Sequence, residues 1–134
     1  MNRFAQGLAL ACLVGVGLVG CGPARPPPGG DLVVDWTIAG DTRWTDCELT
    51  QTATVRLEVL DERGAVVNAG ADTQDCSAFG TSFNGSFFPG DYLVEVTMLH
   101  ADGTPSSTTA RAPARVFSAE TTYVPFDFSP NSFF

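Results

Sequence analysis

The chain has 134 residues, with seven Lys+Arg against fifteen Asp+Glu, a formal charge of −8, four Cys and one His. That is the size of one domain, and all seven cations are Arg placed singly, so the basic patch that nucleic acid requires is missing and nucleic acid is excluded as a partner. A single His and the lack of a spaced Cys/His set leave no ligands for a structural zinc and no base for a His-dependent triad, and no cofactor is expected.

Residues 1–20 open with one cation, Arg3, and continue as a charge-free apolar run from Phe4 that is short and rich in Gly for a membrane-spanning helix. The pattern predicts a secretory signal peptide. It stops at Leu18-Val19-Gly20-Cys21, which resembles the lipobox of bacterial lipoproteins. The resemblance implies cleavage before Cys21, diacylation of its sulfur and acylation of its new amine. Acyl chains contribute about 0.8 kcal/mol per buried CH₂, so more than one chain gives stable attachment to a membrane without spanning it. Residue 22 is Gly rather than Asp, which by resemblance to the lipoprotein sorting rule favours the outer membrane.

Residues 21–30 then form the lipidated Cys and a tether. The run Pro26-Pro27-Pro28 favours extended polyproline II and Gly22, Gly29 and Gly30 loosen its ends. Nine residues at about 3 Å each hold whatever follows within roughly 30 Å of the bilayer.

Residues 31–134 are the size of one immunoglobulin-type β-sandwich. In chain order, Leu32, Val34, Trp36 and Ile38 alternate with Asp35 and Thr37, which predicts a strand with one apolar face. Val55, Leu57 and Val59 alternate with Arg56 and Glu58, and the Asp61-Glu62-Arg63-Gly64 turn cluster should fold Val66 and Val67 back as a hairpin. Shorter strands are expected at 81–88 and 111–117. A longer one over 92–99 carries Tyr92, Val94, Val96 and Met98 on one face, and the last, over 121–128, carries Val124, Phe126 and Phe128. Pro125 cannot donate to a ladder, so that last strand should lie at an edge or carry a bulge. No segment sustains a 3.6-residue period. The fold class expected is all-β, a single Greek-key sandwich of about seven strands.

The segment Pro89-Gly90-Asp91-Tyr92-Leu93-Val94-Glu95-Val96, followed by Asp102-Gly103, resembles the Pro-Gly-x-Tyr-x-Val-x-Val stretch of transthyretin-like and carboxypeptidase-regulatory-like domains. Pro-Gly makes the tight turn, and the Tyr ring packs inward while its hydroxyl bonds backbone at the corner. The resemblance implies a Greek-key sandwich used for scaffolding, adhesion or interaction, and it carries over no ligand-binding residue.

Four cysteines reduce to two after processing, because Cys12 leaves with the signal and Cys21 takes lipid. In an exported domain Cys47 and Cys76 are expected to form a disulfide, the alternative being two free thiols. The bridge would close a loop of about 30 residues, which contributes about 3.5 kcal/mol by the chain-entropy estimate.

The disulfide would gather Asp46 and Glu48, beside Cys47, with Asp72 and Asp75, just before Cys76. Such carboxylates could hold Ca²⁺, but a solvated acidic surface is the preferred reading because no Asp-x-Asp-x-Asp-Gly loop is present. Trp44, placed in the loop before Cys47, either covers the bridge or offers its face to a sugar or a partner side chain. His100, at the exit of the Tyr92 strand, reads as a half-exposed edge group before a general base. Neither a Gly-x-Ser-x-Gly elbow nor a phosphate loop occurs, so no catalytic or metal-ligating residue is assigned. Phe133 and Phe134 should tuck against the sandwich or form an exposed apolar tip. The reading is therefore a non-enzymatic, lipid-anchored envelope protein with a structural or protein-interaction role and an unidentified envelope protein as partner. The alternatives are a glycan- or Ca²⁺-binding module and, behind it, a carboxylate-dependent hydrolase.

Overall fold

The computed structural model describes residues 28–68 and 72–134, excepting the side chains of Asp72 and Ser86. The expected signal peptide with Cys12, the expected lipidation site Cys21 and residues 22–27 of the expected tether lie outside the described residues. Seven strands form two sheets: β1 (Gly30–Ile38), β2 (Thr54–Leu60), β3 (Asp72–Asp75), β4 (Gly80–Phe87), β5 (Gly90–Leu99), β6 (Ala110–Val116) and β7 (Thr121–Phe128). A six-residue helix, α1 (Trp44–Leu49), joins β1 to β2. The sheets run β4-β1-β7 and β3-β2-β5-β6, with β1 and β7 parallel and the other pairs antiparallel. This is an all-β sandwich with the three-plus-four division of the immunoglobulin type.

The alternating patterns place the core as expected. Leu32, Val34 and Trp36 of β1 are fully buried, as are Val55, Leu57 and Val59 of β2 and Val94, Val96 and Met98 of β5. Each such aliphatic side chain contributes about 1.5–3 kcal/mol on leaving water. Val124, Phe126 and Phe128 close the core from β7, whose outward positions, Pro125 among them, are exposed. β7 is an edge strand, which is where Pro125 can sit without breaking a ladder. Tyr92 does as its motif implies: its ring lies 5.5 Å from that of Phe87 and its hydroxyl donates to the Phe88 carbonyl at 2.7 Å.

Three local features depart from the sequence expectation. The segment around Cys47 is the helix α1 rather than a loop. Asp72–Asp75, polar throughout, is a strand because it meets β2 in register from Thr54↔Asp75 to Leu57↔Asp72. The Val66–Val67 hairpin shrinks to a single bridge, Leu60↔Val66, with Val67 N–H donating to the Val59 carbonyl. Between that bridge and β3 the buried Asn68 side chain completes the edge. Its Oδ1 accepts from Val59 N–H at 2.8 Å and its Nδ2 donates to the Leu57 carbonyl at 3.0 Å. A side-chain amide thus supplies the same donor and acceptor that a neighbouring strand would.

The sandwich has two distinct ends. The chain enters at Pro28, whose carbonyl accepts from Ser118 Oγ, beside the turns 88–90 and 117–120. Gly30 passes so close to the 116–117 backbone that a Cβ there would strike the Phe117 carbonyl and the Val116 side chain. β1 then carries the chain over nine residues, about 27 Å at strand rise, to the opposite end, where α1, the 76–78 turn, His100 and the C-terminal Phe133 and Phe134 collect.

Candidate functional site

The end remote from Pro28 is built around α1. The helix is closed by a Schellman arrangement: Thr52 N–H donates to the Cys47 carbonyl at 2.9 Å and Gln51 N–H to the Glu48 carbonyl at 3.0 Å. Gln51 takes the left-handed position that this closure needs, at φ 54°. The Thr50 hydroxyl adds a bond to the Asp46 carbonyl at 2.8 Å. Six residues are too few to hold a helix by propensity, so covalent fixation does the rest: Cys47 and Cys76 form a disulfide with Cα atoms 6.0 Å apart, which ties α1 to the 76–78 turn.

Both cysteines are buried, and the two indoles stand differently towards the bridge. Trp44 is 62% exposed, whereas Trp36, fully buried in β1, donates from Nε1 to the Cys76 carbonyl at 2.9 Å. The inward parity of Trp36 marked it as core, but parity along one strand carries no information about which turn lies across the sandwich.

The acids around the bridge separate onto two sides of α1. Glu48 and Asp75 come together with Trp44, the Ser77 hydroxyl and the disulfide in a shallow groove of about 330 Å³. Asp46 instead turns to the other side, into a groove of about 500 Å³ whose apolar wall is Ile38, Leu49, Pro130, Phe133 and Phe134. It is 9% exposed, its Oδ2 lies 3.5 Å from Arg43 Nε in an ion pair, and that oxygen has no hydrogen-bond donor. Arg43 pairs more closely with Asp41, at 2.9 Å. The backbone of Asp72 belongs to β3, and its side chain lies outside the described residues. Among the described residues no three of His, Cys, Asp and Glu gather closely enough to hold a metal ion.

His100 is partly exposed and lies between the Asp46 groove and a shallow surface lined by Glu48, Gln51 and Asp102. A carbonyl only accepts, so the 2.8 Å contact with the Gln51 carbonyl makes His100 Nδ1 the donor and ties the β5 exit to the cap of α1. Phe133 packs on Phe128, with ring centroids 6.2 Å apart, while Phe134 is 82% exposed, so one of the two terminal rings tucks in and the other forms a tip. Leu49 joins that tip from α1, a contribution the sequence hid because no helix was expected there.

Chemically, the Trp44 groove offers a flat aromatic face beside two carboxylates and a hydroxyl, the set that stacks on and hydrogen-bonds a polar ring. The Asp46 groove offers an apolar wall and a carboxylate already engaged by Arg43. No helix of the described residues is long and apolar enough to cross a membrane.

No family model matches the chain, and no curated protein matches it in sequence. Among solved structures, the minor pilin GBS52 of the Gram-positive pathogen Streptococcus agalactiae is similar over 80% of this chain, at 16% identity and a TM-score of 0.48. The chain spans 47% of that pilin, about half its length. CopC from Methylosinus trichosporium OB3b is similar over 55% of this chain and 69% of its own, at 19% identity and a TM-score of 0.32.

Proposed function

We propose that the chain is a non-enzymatic, lipid-anchored cell-envelope protein that holds one disulfide-bonded β-sandwich on a short tether and serves a structural or protein-interaction role. The observation that carries this reading is the point of entry: Pro28, the last residue of the Pro-rich run that follows Cys21, is bonded by Ser118 at the end of the sandwich opposite α1. An anchor at Cys21 therefore leaves the far end, with Leu49 and Phe134 exposed, turned away from the bilayer. Gly22 favours the outer membrane. Metabolic labelling with palmitate tests the anchor: wild type takes the label and fractionates with outer membrane, and Cys21→Ser does neither. A wild-type chain that stays unlabelled and soluble overturns the reading. Crosslinking in intact cells, followed by identification of envelope proteins captured by wild type, tests the interaction role.

A second reading is favoured by the groove that joins Trp44, Glu48, Asp75 and Ser77, whose aromatic face and acceptors suit a glycan. Binding to a glycan array that persists after Trp44→Ala would remove it.

A further inference from the structure

Among the described residues, seven of the eight large apolar side chains that stand exposed lie outside the strands, and Tyr123 alone is on a strand's outer face. Two of the seven, Phe88 and Phe117, are at the entry end, 70% and 49% exposed, and Val66 is bridged to Leu60 at the adjoining end of β2. Phe88 and Phe117 flank the antiparallel start of β5 and end of β6, where Gly90 pairs with Val116, and Phe117 adjoins the turn that bonds Pro28. The chain thus emerges beside Phe117, with Phe88 across the β5–β6 pair from it.

We infer that this entry end is a membrane-resting face, and that its occupant is the zwitterionic headgroup surface of the bilayer into which Cys21 is anchored. The inference rests on the anchor proposed above. From Cys21 to Pro28 is seven residues, at most about 22 Å in polyproline II, so the entry end cannot leave the neighbourhood of the headgroups. Two Phe side chains inserted in part contribute too little to bind a free protein to a bilayer. A short tether, however, sets an effective concentration in the millimolar range, at which a weak contact is populated. Charge selects the headgroup. Asp61, Glu62, Asp91 and Glu120 stand at this end against Arg63 and Arg115, and Arg115 is already held by Asp91 at 2.7 Å and 2.9 Å. An anionic surface would be repelled, and a zwitterionic one would not.

The mature chain, residues 21–134, has one cysteine outside the disulfide, so Cys21 can be coupled to a maleimide lipid in phosphatidylcholine nanodiscs that contain a gadolinium-chelating lipid. Paramagnetic broadening of amides at 88 and 117 is expected to exceed that at 44–49 and 134 several-fold. The double variant Phe88→Ser, Phe117→Ser should lower this difference several-fold, to what the tether alone imposes, while keeping the wild-type spectrum of the core. Equal broadening at both ends in wild type, or an undiminished difference in the double variant, overturns the inference. Because the coupling is chemical, this result is independent of the palmitate experiment: absence of labelling in cells removes the anchor, and only the nanodisc result removes the face.

Discussion

Trp36 and Cys76 are joined by a fully enclosed hydrogen bond, 2.9 Å from the indole Nε1 to the carbonyl oxygen, across 40 residues of chain. The bond fixes the turn that carries the disulfide against β1, so the position of α1 depends on a core side chain of the facing sheet. Trp36→Phe keeps most of the apolar volume and leaves the Cys76 carbonyl with only the longer bond from Phe79 N–H, at 3.3 Å. It should lower unfolding free energy by about 1 kcal/mol, the net contribution of a typical intramolecular hydrogen bond. Urea denaturation checks this as a lower midpoint at unchanged slope.

Asn68 stands in for a strand along β2, and both of its amide atoms are used. Asn68→Ala should cost about 2 kcal/mol by leaving Val59 N–H and the Leu57 carbonyl without partners. Asn68→Asp keeps an acceptor for Val59 N–H and sets a carboxylate against the Leu57 carbonyl, so it should cost more at pH 7 and recover towards pH 4 as the group is protonated. Thermal melts of the three proteins at both pH values give the comparison.

Much of this frame was legible in the sequence, and what escaped has a common physical cause. β1, β2, β5 and β7 announce themselves because each buries one face, and burial imposes the two-residue period. The Tyr92 corner was legible for the same local reason, a Pro-Gly turn followed by an inward ring. Asp72–Asp75 buries no apolar face and becomes a strand only because β2 presents an open edge, a tertiary cause with no local trace. α1 is likewise imposed, by a disulfide and a Schellman closure acting on six residues. The helix also redistributes its side chains: adjacency in sequence groups Asp46, Glu48 and Trp44, whereas a helical turn sends Asp46 to one groove and Trp44 with Glu48 to another.

The disulfide should contribute about 3.5 kcal/mol through the 30-residue loop it closes. Cys47→Ala with Cys76→Ala ought to lower the melting temperature and, before global unfolding, release α1. Amide exchange at 44–52 should therefore quicken more than exchange in β2 or β5, because the core strands keep their burial. Uniform acceleration across the molecule would show instead that the bridge supports the whole sandwich rather than one end.

Acid should weaken the domain through its turns. Hydrogen bonds from Ala65 N–H hold Asp61, from the Arg115 side chain hold Asp91, and from the Thr104 side chain hold Asp102, each below the ordinary value of 3.8. A carboxyl depressed in the folded state adds stability above its unfolded value and loses it as pH falls through the folded value, so the melting temperature should drop below about pH 4. Asp61→Asn and Asp102→Asn keep an acceptor for each turn and remove the charge, and together they should flatten that acid limb. Tyr92 works from the other side: burial first, then Asp61 and Glu62, raise its hydroxyl above 10.0. A raised value means that folding is favoured below the unfolded value and loses ground as pH climbs past 10, a limb that Tyr92→Phe should remove.

Trp44 separates structure from recognition. Its ring is 62% exposed while Trp36 carries the buried indole role, so Trp44→Ala should change the urea midpoint little, by no more than about 0.5 kcal/mol. If the groove with Glu48, Asp75 and Ser77 takes a glycan, the same substitution should abolish retention on the glycan and Trp44→Phe should restore part of it, because a smaller aromatic face still stacks. A large fall in stability would mean that the ring covers the disulfide after all, and that the acids beside it are a solvated surface.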